Sequence, residues 1–235
     1  MNIINSLGHG DYHLHSSTLS DGLNSIDEIV IRAGLMNYTE IALTDHNREY
    51  MDRYGFSART HYSIIASGRW KNIHNAVRVI FGVEADLLDE KGDICRDIRG
   101  VEPEFMVLSC HERIYKGSPG SLKTAYLNAI GRCGPAITLL GHLCAKSLSN
   151  ELSPKDVQEI VAAANGAGIA LELNCANLVN GKTSLPHLRA MLSCCKALYV
   201  NSDAHTLHEF QTVRHQGFAY LKENHYPGLL GHEKE

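Results

Sequence analysis

Asp11-Tyr12-His13-Leu14-His15 is the first of several points in the chain where a short apolar segment meets side chains that can bind a metal ion. Seven such segments occur, and most are continuous rather than alternating in hydrophobicity, which is typical of parallel strands buried on both faces. We therefore predict strands at residues 11–14, 40–44, 77–83, 105–109, 136–141, 169–173 and 197–201.

Helical patterns separate the predicted strands. Capping signals at Ser25 and Ser153 open two helices, and apolar stripes indicate two more, at residues 122–130 and 188–195. Strands that alternate with helices imply βαβ units and a parallel sheet. Seven of them in 235 residues predict one α/β domain over residues 1–235, folded as a closed or nearly closed barrel. An open doubly wound sheet is the second choice, because no glycine-rich phosphate turn follows the first strand.

The composition argues against several classes of protein. The chain has 22 Lys and Arg against 26 Asp and Glu, and the net charge of −4 argues against long nucleic acid as a partner. The seven cysteines form no CxxC motif, which excludes zinc ribbons and thioredoxin-type chemistry. Residues 1–10 lack the pattern of a signal peptide, and no apolar run approaches the length of a membrane span. We expect a cytoplasmic protein without membrane contact, and the sequence leaves its oligomeric state open.

Polar residues collect where the predicted strands end. In a parallel barrel these C-terminal ends converge on one face, where active sites lie. The residues concerned are Asp11 to His15, Thr44-Asp45-His46, Gly82-Val83-Glu84, Ser109-Cys110-His111, Gly141-His142, Glu172-Leu173-Asn174 and Asn201 to His205. Histidine is the commonest metal ligand in proteins. Because many of the 14 histidines fall at these ends, we predict a metal centre there.

The spacing of the candidate ligands fits metal chelation. His13 and His15 are two residues apart, so both rings project from the same face of a strand, and Asp203 and His205 repeat this spacing. Asp21 follows in a turn that can bring its carboxylate over the same site. Mixed histidine and carboxylate ligands suit zinc, manganese or iron. With His46, Glu84, His111 and His142 from the other strand ends, the candidate ligands number nine. Nine residues are too many for one ion, which predicts a cluster of ions bridged by a carboxylate.

The order of these motifs resembles that of the PHP (polymerase and histidinol phosphatase) family. The matching motifs span residues 11 to 205 and are Asp11 to Ser16 with Ser20-Asp21-Gly22, Leu43-Thr44-Asp45-His46, Gly82-Val83-Glu84, His111, Gly141-His142, and Asn201 to His205. The resemblance implies a distorted (β/α)7 barrel of PHP type with three divalent ions at the C-terminal ends of the strands. One departure is that Leu143-Cys144 follows Gly141-His142, where the family often has Pro-Asp or similar residues.

Carried over motif by motif, the resemblance implies three ligand sets. One ion would take His13, His15, Glu84 and Asp203, a second would take Glu84, His111 and His142, and a third would take Asp21, His46 and His205. Glu84 would bridge the first two ions. No ligand position is missing, which favours an active enzyme over a noncatalytic metal-binding module.

The activity implied is that of a metal-dependent phosphoesterase. Clustered divalent ions lower the pKa of a bridging water, bind phosphate oxygens and stabilise both oxygens of an in-line displacement. We expect a phosphatase that uses a bridging hydroxide to hydrolyse a small-molecule phosphomonoester, and histidinol phosphate is the best-known substrate of the family. The alternatives are a phosphodiesterase or exonuclease acting on nucleotides or short oligonucleotides, and a noncatalytic metal-binding module.

Two further sets of residues are candidates for catalysis and for substrate binding. The acid that protonates the leaving group would be Asp45, His61 or a water on the third ion, and the sequence does not decide between them. The segment from Asn47 to Asn75 mixes aromatic and basic residues, so we interpret it as a cap over the substrate. The predicted phosphate-binding residues are Arg48, Arg53, Arg59 and Arg69 in this segment, with Arg113 and Lys146 near the other strand ends.

Overall fold

The computed structural model describes residues 1–56, 68, 71 and 74–226. Within this part of the chain the strands are β1 (Asn2–Ile3), β2 (Gly10–Asp11), β3 (Glu40–Leu43), β4 (Arg78–Leu87), β5 (Ile94–Cys95), β6 (Phe105–Ser109), β7 (Leu139–Leu140), β8 (Ala170–Asn174) and β9 (Ala197–Asn201). They form one sheet in the order β1-β9-β8-β7-β6-β4-β3-β2, and β5 pairs with β4. Only the β4–β5 pair of these described strands is antiparallel.

The seven predicted strands are present, but the first, third and fifth differ in length from the prediction. The fifth, predicted over residues 136–141, is reduced to Leu139–Leu140, because a 3-10 helix at Gly134–Ala136 occupies its start. After β2 the backbone leaves the ladder, because side chains take the place of backbone partners: the amide of Tyr12 donates to Asn201 Oδ1 at 3.3 Å, and the amide of Leu14 donates to Thr44 Oγ1 at 3.1 Å. β4 continues four residues past the predicted end at residue 83, and this extension holds two buried carboxylates within the sheet.

The two ends of the sheet meet along the N-terminal segment. β1 pairs with β9, with Asn2 opposite Ala197, and further along the same segment Leu14 forms a parallel bridge with Ala204. Between these points the side chain of Asn5 donates to carbonyl oxygens of β2 and β9, at 3.1 and 3.2 Å. The sheet therefore curls into a distorted barrel, and the predicted fold class is confirmed.

Helices connect most of the parallel strands and cover the outside of the sheet. They are α1 (Ile26–Leu35), α2 (Arg48–Arg53), α3 (Leu122–Cys133), α4 (Pro154–Ala167), α5 (Cys175–Val179), α6 (Leu185–Cys194) and α7 (Leu207–Glu223). Capping boxes at Ser25, Ser153 and Thr206 satisfy amide groups at the starts of α1, α4 and α7. No helix in the described ranges is long and apolar enough to cross a membrane.

The apolar faces of the helices form the core against the sheet. On α4, Val157, Ile160, Val161 and Ala164 are fully buried, and Tyr126 of α3 is buried beside the same cluster. Burying one large aliphatic side chain contributes about 1.5–3 kcal/mol. This packing holds the strands in place, so their C-terminal ends can carry polar residues that contribute little to the apolar core.

Candidate metal centre

The nine predicted ligands lie together at the C-terminal ends of the parallel strands. They are His13, His15, Asp21, His46, Glu84, His111, His142, Asp203 and His205, and ion-pair distances between their side chains link all of them. Most of these side chains are buried or nearly so, and His205, the most exposed, retains about a third of its accessible surface. The structure therefore confirms that these residues converge.

Glu84 is the centre of this group. It lies on β4, and its side chain is 1% exposed. Its two carboxylate oxygens lie 2.7 to 3.8 Å from a ring nitrogen in each of five histidines, namely His13, His15, His46, His111 and His142. A carboxylate in this position has the contacts expected of a residue that bridges two ions.

Two aspartates bring further negative charge to the histidine cluster. Asp203 Oδ1 lies 3.2 Å from His15 Nε2 and 3.6 Å from His13 Nε2. Asp21 Oδ1 lies 3.5 Å from His46 Nε2 and 3.4 Å from His205 Nε2. The turn that carries Asp21 packs directly on the first strand segment, and Gly22 permits this because a Cβ there would lie 2.2 Å from the carbonyl oxygen of His15.

Three groups of ligand atoms lie close enough to hold one ion each. Within each group all the atoms lie within 4.8 Å of one another, and the groups are His15 with Asp21, His46 and His205; His13 with His15 and Glu84; and His46 with Glu84 and His111. The grouping differs from the ligand sets that the family resemblance implies, because His15 and His46 each belong to two groups, while His142 and Asp203 belong to none.

Several buried atoms of these side chains fit metal ions. Five buried polar atoms of the cluster lie within 4 Å of an acidic or imidazole group but make no well-oriented hydrogen bond: His13 Nε2, both ring nitrogens of His15, His46 Nδ1 and Asp21 Oδ1. Leaving one buried donor or acceptor unpaired costs about 1–3 kcal/mol. Divalent ions would satisfy these nitrogen and oxygen atoms, which are the ligand types that zinc and similar ions bind.

The charge states of the cluster also suit cations. Burial raises the pKa of Glu84, but the neighbouring His13, His46 and His111 outweigh it and hold that pKa well below its usual range. Burial lowers the pKa of His46 to about 4, so its ring is neutral and one ring nitrogen keeps a lone pair that can bind a metal ion. Burial lowers the pKa of His111 as well, but the charges of Glu84 and Asp86 raise it to about 9. Metal binding at His111 would displace that proton.

A second layer of carboxylates orients two of the histidines. Glu172 on β8 accepts from His13 Nδ1 at 2.8 Å and also from the side-chain amide of Asn201 at 3.0 Å. Asp86 on β4 contacts His111 Nδ1 at 2.7 Å. These contacts leave Nε2 of each ring facing the cluster, as is common for histidines that bind metals. The sequence pattern places Glu172 at a strand end, but it does not single out Asp86, whose signal is its position two residues after Glu84 on one strand face.

The predicted phosphate-binding residues are only partly brought together. Arg53 and Arg113 line one open cleft of about 900 Å³ next to α2, together with Lys116. Arg48 is exposed at the start of α2, and Lys146 is exposed in a short 3-10 helix, and neither lines this cleft. The other predicted residues, Arg59, Arg69 and His61, lie outside the described residues.

Asp45 is buried beside the cluster and bound to a loop. Its carboxylate accepts from the amide of Ser16 at 2.6 Å, from Ser16 Oγ at 2.8 Å and from Ser20 Oγ. Burial raises the pKa of Asp45 to about 6. These contacts tie the end of β3 to the loop that carries Asp21.

Comparisons with known proteins find a family, sequence relatives and a related fold. The family model of the PHP domain matches residues 11–176. Two proteins named probable phosphatase, from Pectobacterium atrosepticum and Pectobacterium carotovorum, are 24% and 25% identical over 202 residues, which cover 83% of this chain and 78% of each relative. The crystal structure of histidinol phosphate phosphatase from Lactococcus lactis, with zinc, L-histidinol and phosphate, is 16% identical. It aligns with a TM-score of 0.57 over 95% of this chain and 96% of its own.

Proposed function

Because the chain belongs to the PHP family, we propose that it is a metal-dependent phosphatase that hydrolyses a small-molecule phosphomonoester. The observation that carries the proposal is the cluster around Glu84, where five buried ligand atoms make no well-oriented hydrogen bond and one carboxylate faces five imidazoles. The relatives named as phosphatases support the hydrolysis of phosphoric esters. The continuous sheet from β1 to β9 supports one domain over residues 1–235.

The nine clustered residues are the proposed ligands of three divalent ions, which would be zinc, manganese or iron. Three groups of ligand atoms support three ions, and the shared His15 and His46 place the groups next to one another. When bound, such ions supply a hydrolytic water of lowered pKa and positive charge for phosphate oxygens. Glu84 would bridge two ions, and Glu172 and Asp86 would keep Nε2 of His13 and His111 directed at them.

The cleft beside α2 is the proposed binding site for the rest of the substrate. It borders His111, because the residues that follow His111 form one of its walls. Arg53, Arg113 and Lys116 bring positive charge to this cleft, while Glu49, Asp52 and Glu112 bring negative charge. Arginine binds phosphate oxygens with two parallel hydrogen bonds, which lysine cannot do. We therefore assign phosphate contacts first to Arg53 and Arg113, and keep Arg48, Arg59, Arg69 and Lys146 as further candidates.

The contacts of Asp45 favour a positioning role over proton donation. Both of its oxygens bind Ser16, and one also binds Ser20, so the carboxylate is already committed to the loop before Asp21. A general acid must reach the leaving oxygen directly or through one water. We therefore place the leaving-group acid with His61 or a water molecule, and place Asp45 with the residues that hold the loop.

A screen for released phosphate tests the proposal. The chain, loaded with manganese, zinc or iron, is assayed against phosphomonoesters, including histidinol phosphate, and against nucleotide diesters and short single-stranded oligonucleotides. Faster release from monoesters is the expected result, with histidinol phosphate tested first because the Lactococcus lactis structure holds L-histidinol and phosphate. Cleavage of diesters alone would favour the nuclease alternative. Absence of turnover with every metal would favour a noncatalytic module.

A further inference from the structure

Tyr50 contacts three of the proposed ligands, although it binds no ion itself. Its ring lies flat against the ring of His46, with 3.4 Å between centroids and 13° between planes. Its hydroxyl donates to Asp21 Oδ2 at 3.4 Å. The centroid of its ring also lies 4.9 Å from the centroid of the His111 ring, and the planes of these two rings meet edge to face at 68°.

The fold holds Tyr50 in this place. Tyr50 lies in the first turn of α2, whose N-cap is Asn47, and the side chain of Asn47 accepts from the amides of Glu49 and Tyr50. The amide group of the same Asn47 side chain donates to Asp86 Oδ2 at 2.7 Å and to the backbone oxygen of Glu84 at 2.9 Å. The turn that presents Tyr50 is therefore attached to the strand that carries the central carboxylate.

We propose that Tyr50 is a positioning residue for the ion held by Asp21, His46 and His205. This inference rests on the proposed metal cluster. The stacked ring fixes the plane of the His46 imidazole, while the hydroxyl bond to Oδ2 of Asp21 leaves Oδ1 turned toward His46 and His205. Both ligands come from loops beyond the strand ends, so they depend on such contacts more than His13 or Glu84 does.

Most contacts of Tyr50 fall on this ion, because the stack on His46 and the bond to Asp21 both reach its ligands, whereas His111 is met only edge to face. His13 and His142 have no contact with Tyr50 among the ring contacts and hydrogen bonds described, and Glu172 and Asp86 hold His13 and His111 from the other side. Loss of the Tyr50 ring should therefore weaken this ion most, the ion beside His111 less, and the ion beside His13 least. Residues that support a metal ligand typically change metal affinity by about 10–100-fold when they are replaced.

The test measures ions bound per chain as a function of free metal. Metal-free wild type, Tyr50→Leu, Tyr50→Phe and the control Tyr54→Leu are dialysed against buffered zinc alone, and bound zinc is counted by elemental analysis. Tyr54 stacks on Tyr50 at 4.4 Å but belongs to none of the ligand groups, so this control removes a neighbouring aromatic ring from the same segment. Circular dichroism of each metal-free variant reports the fold.

Tyr50→Leu should hold two ions at a free zinc concentration where wild type and Tyr54→Leu hold three, with the weakest site loosened about tenfold or more. Tyr50→Phe keeps the stack and loses one long hydrogen bond, so its weakest site should loosen only about twofold. Raising free zinc should restore kcat in both variants, which a general loss of structure would not allow. If Tyr50→Leu fails to fold, the smaller shift expected of Tyr50→Phe, about twofold, decides the outcome.

Coincident binding curves for wild type and the Tyr50 variants would overturn the proposal, as would an equal weakening of all ions in a folded Tyr50→Leu chain. The wild-type curve tests the proposed function separately. If wild type binds three ions and Tyr50→Leu does so equally well, only the role of Tyr50 is wrong. If wild type binds no more than one ion, the cluster itself is wrong and the role of Tyr50 falls with it.

Discussion

Replacing Glu84 by Gln should reduce both metal content and turnover. The change keeps the size of the side chain, but it removes the negative charge that five imidazoles now face within 3.8 Å. Replacing a residue that only supports a ligand lowers metal affinity by about 10–100-fold. Removing the charge of a carboxylate that contacts two ions should therefore lower the affinity for each ion by at least about tenfold, which is about 1.4 kcal/mol per ion. At zinc concentrations that just saturate wild type, we expect the loss of one or more ions.

The assay counts ions by elemental analysis and measures phosphate release on the same samples. Glu104→Gln is the matched control, because Glu104 is exposed next to the N-terminal end of β6, away from the ligand ends of the strands. It should keep full metal content and wild-type turnover. Full metal content together with wild-type turnover in Glu84→Gln would refute the assignment of Glu84 as the bridge.

Three other substitutions test neighbouring parts of the site. Glu172→Gln should lower metal affinity, measured by dialysis, by about 10–100-fold, because His13 loses the charged partner that orients it. Circular dichroism should show an intact fold, and unchanged metal affinity would contradict this role. Arg53→Ala and Arg113→Ala should keep full metal content. At least one of them should lower kcat/KM by about tenfold, which is about 1.4 kcal/mol of transition-state binding. Wild-type kcat/KM in both variants would show that this cleft is not part of the substrate site. Asp45→Asn should weaken metal retention through the loop before Asp21, whereas full metal content with a large loss of kcat would indicate that Asp45 is the leaving-group acid.

The apolar pattern was sufficient to predict the parallel strands but not all of their lengths. The predicted third strand ended at Val83 because polar residues follow it, yet β4 continues to Leu87. Glu84 and Asp86 remain in the strand because histidines and an asparagine neutralise or hydrogen-bond them, and those partners come from distant segments. A single-sequence pattern cannot show such partners.

The ligand residues could be predicted from their positions, whereas their grouping could not. Strand ends converge in any parallel barrel, so His13, His46 and Glu84 were expected to be near one another. That His15 and His46 each contact two groups depends on distances between strands, which sequence spacing does not determine. Tyr50 illustrates the same limit, because its stack on His46 follows from the turn of α2 four residues later in the chain.

The number of metal ions per chain tests the central claim most directly. Elemental analysis of wild-type protein, purified in the presence of manganese, zinc or iron and then freed of loosely bound metal, should find three ions per chain. The three groups of ligand atoms predict this number. A preparation that is fully active in phosphate release with a single ion per chain would contradict the account.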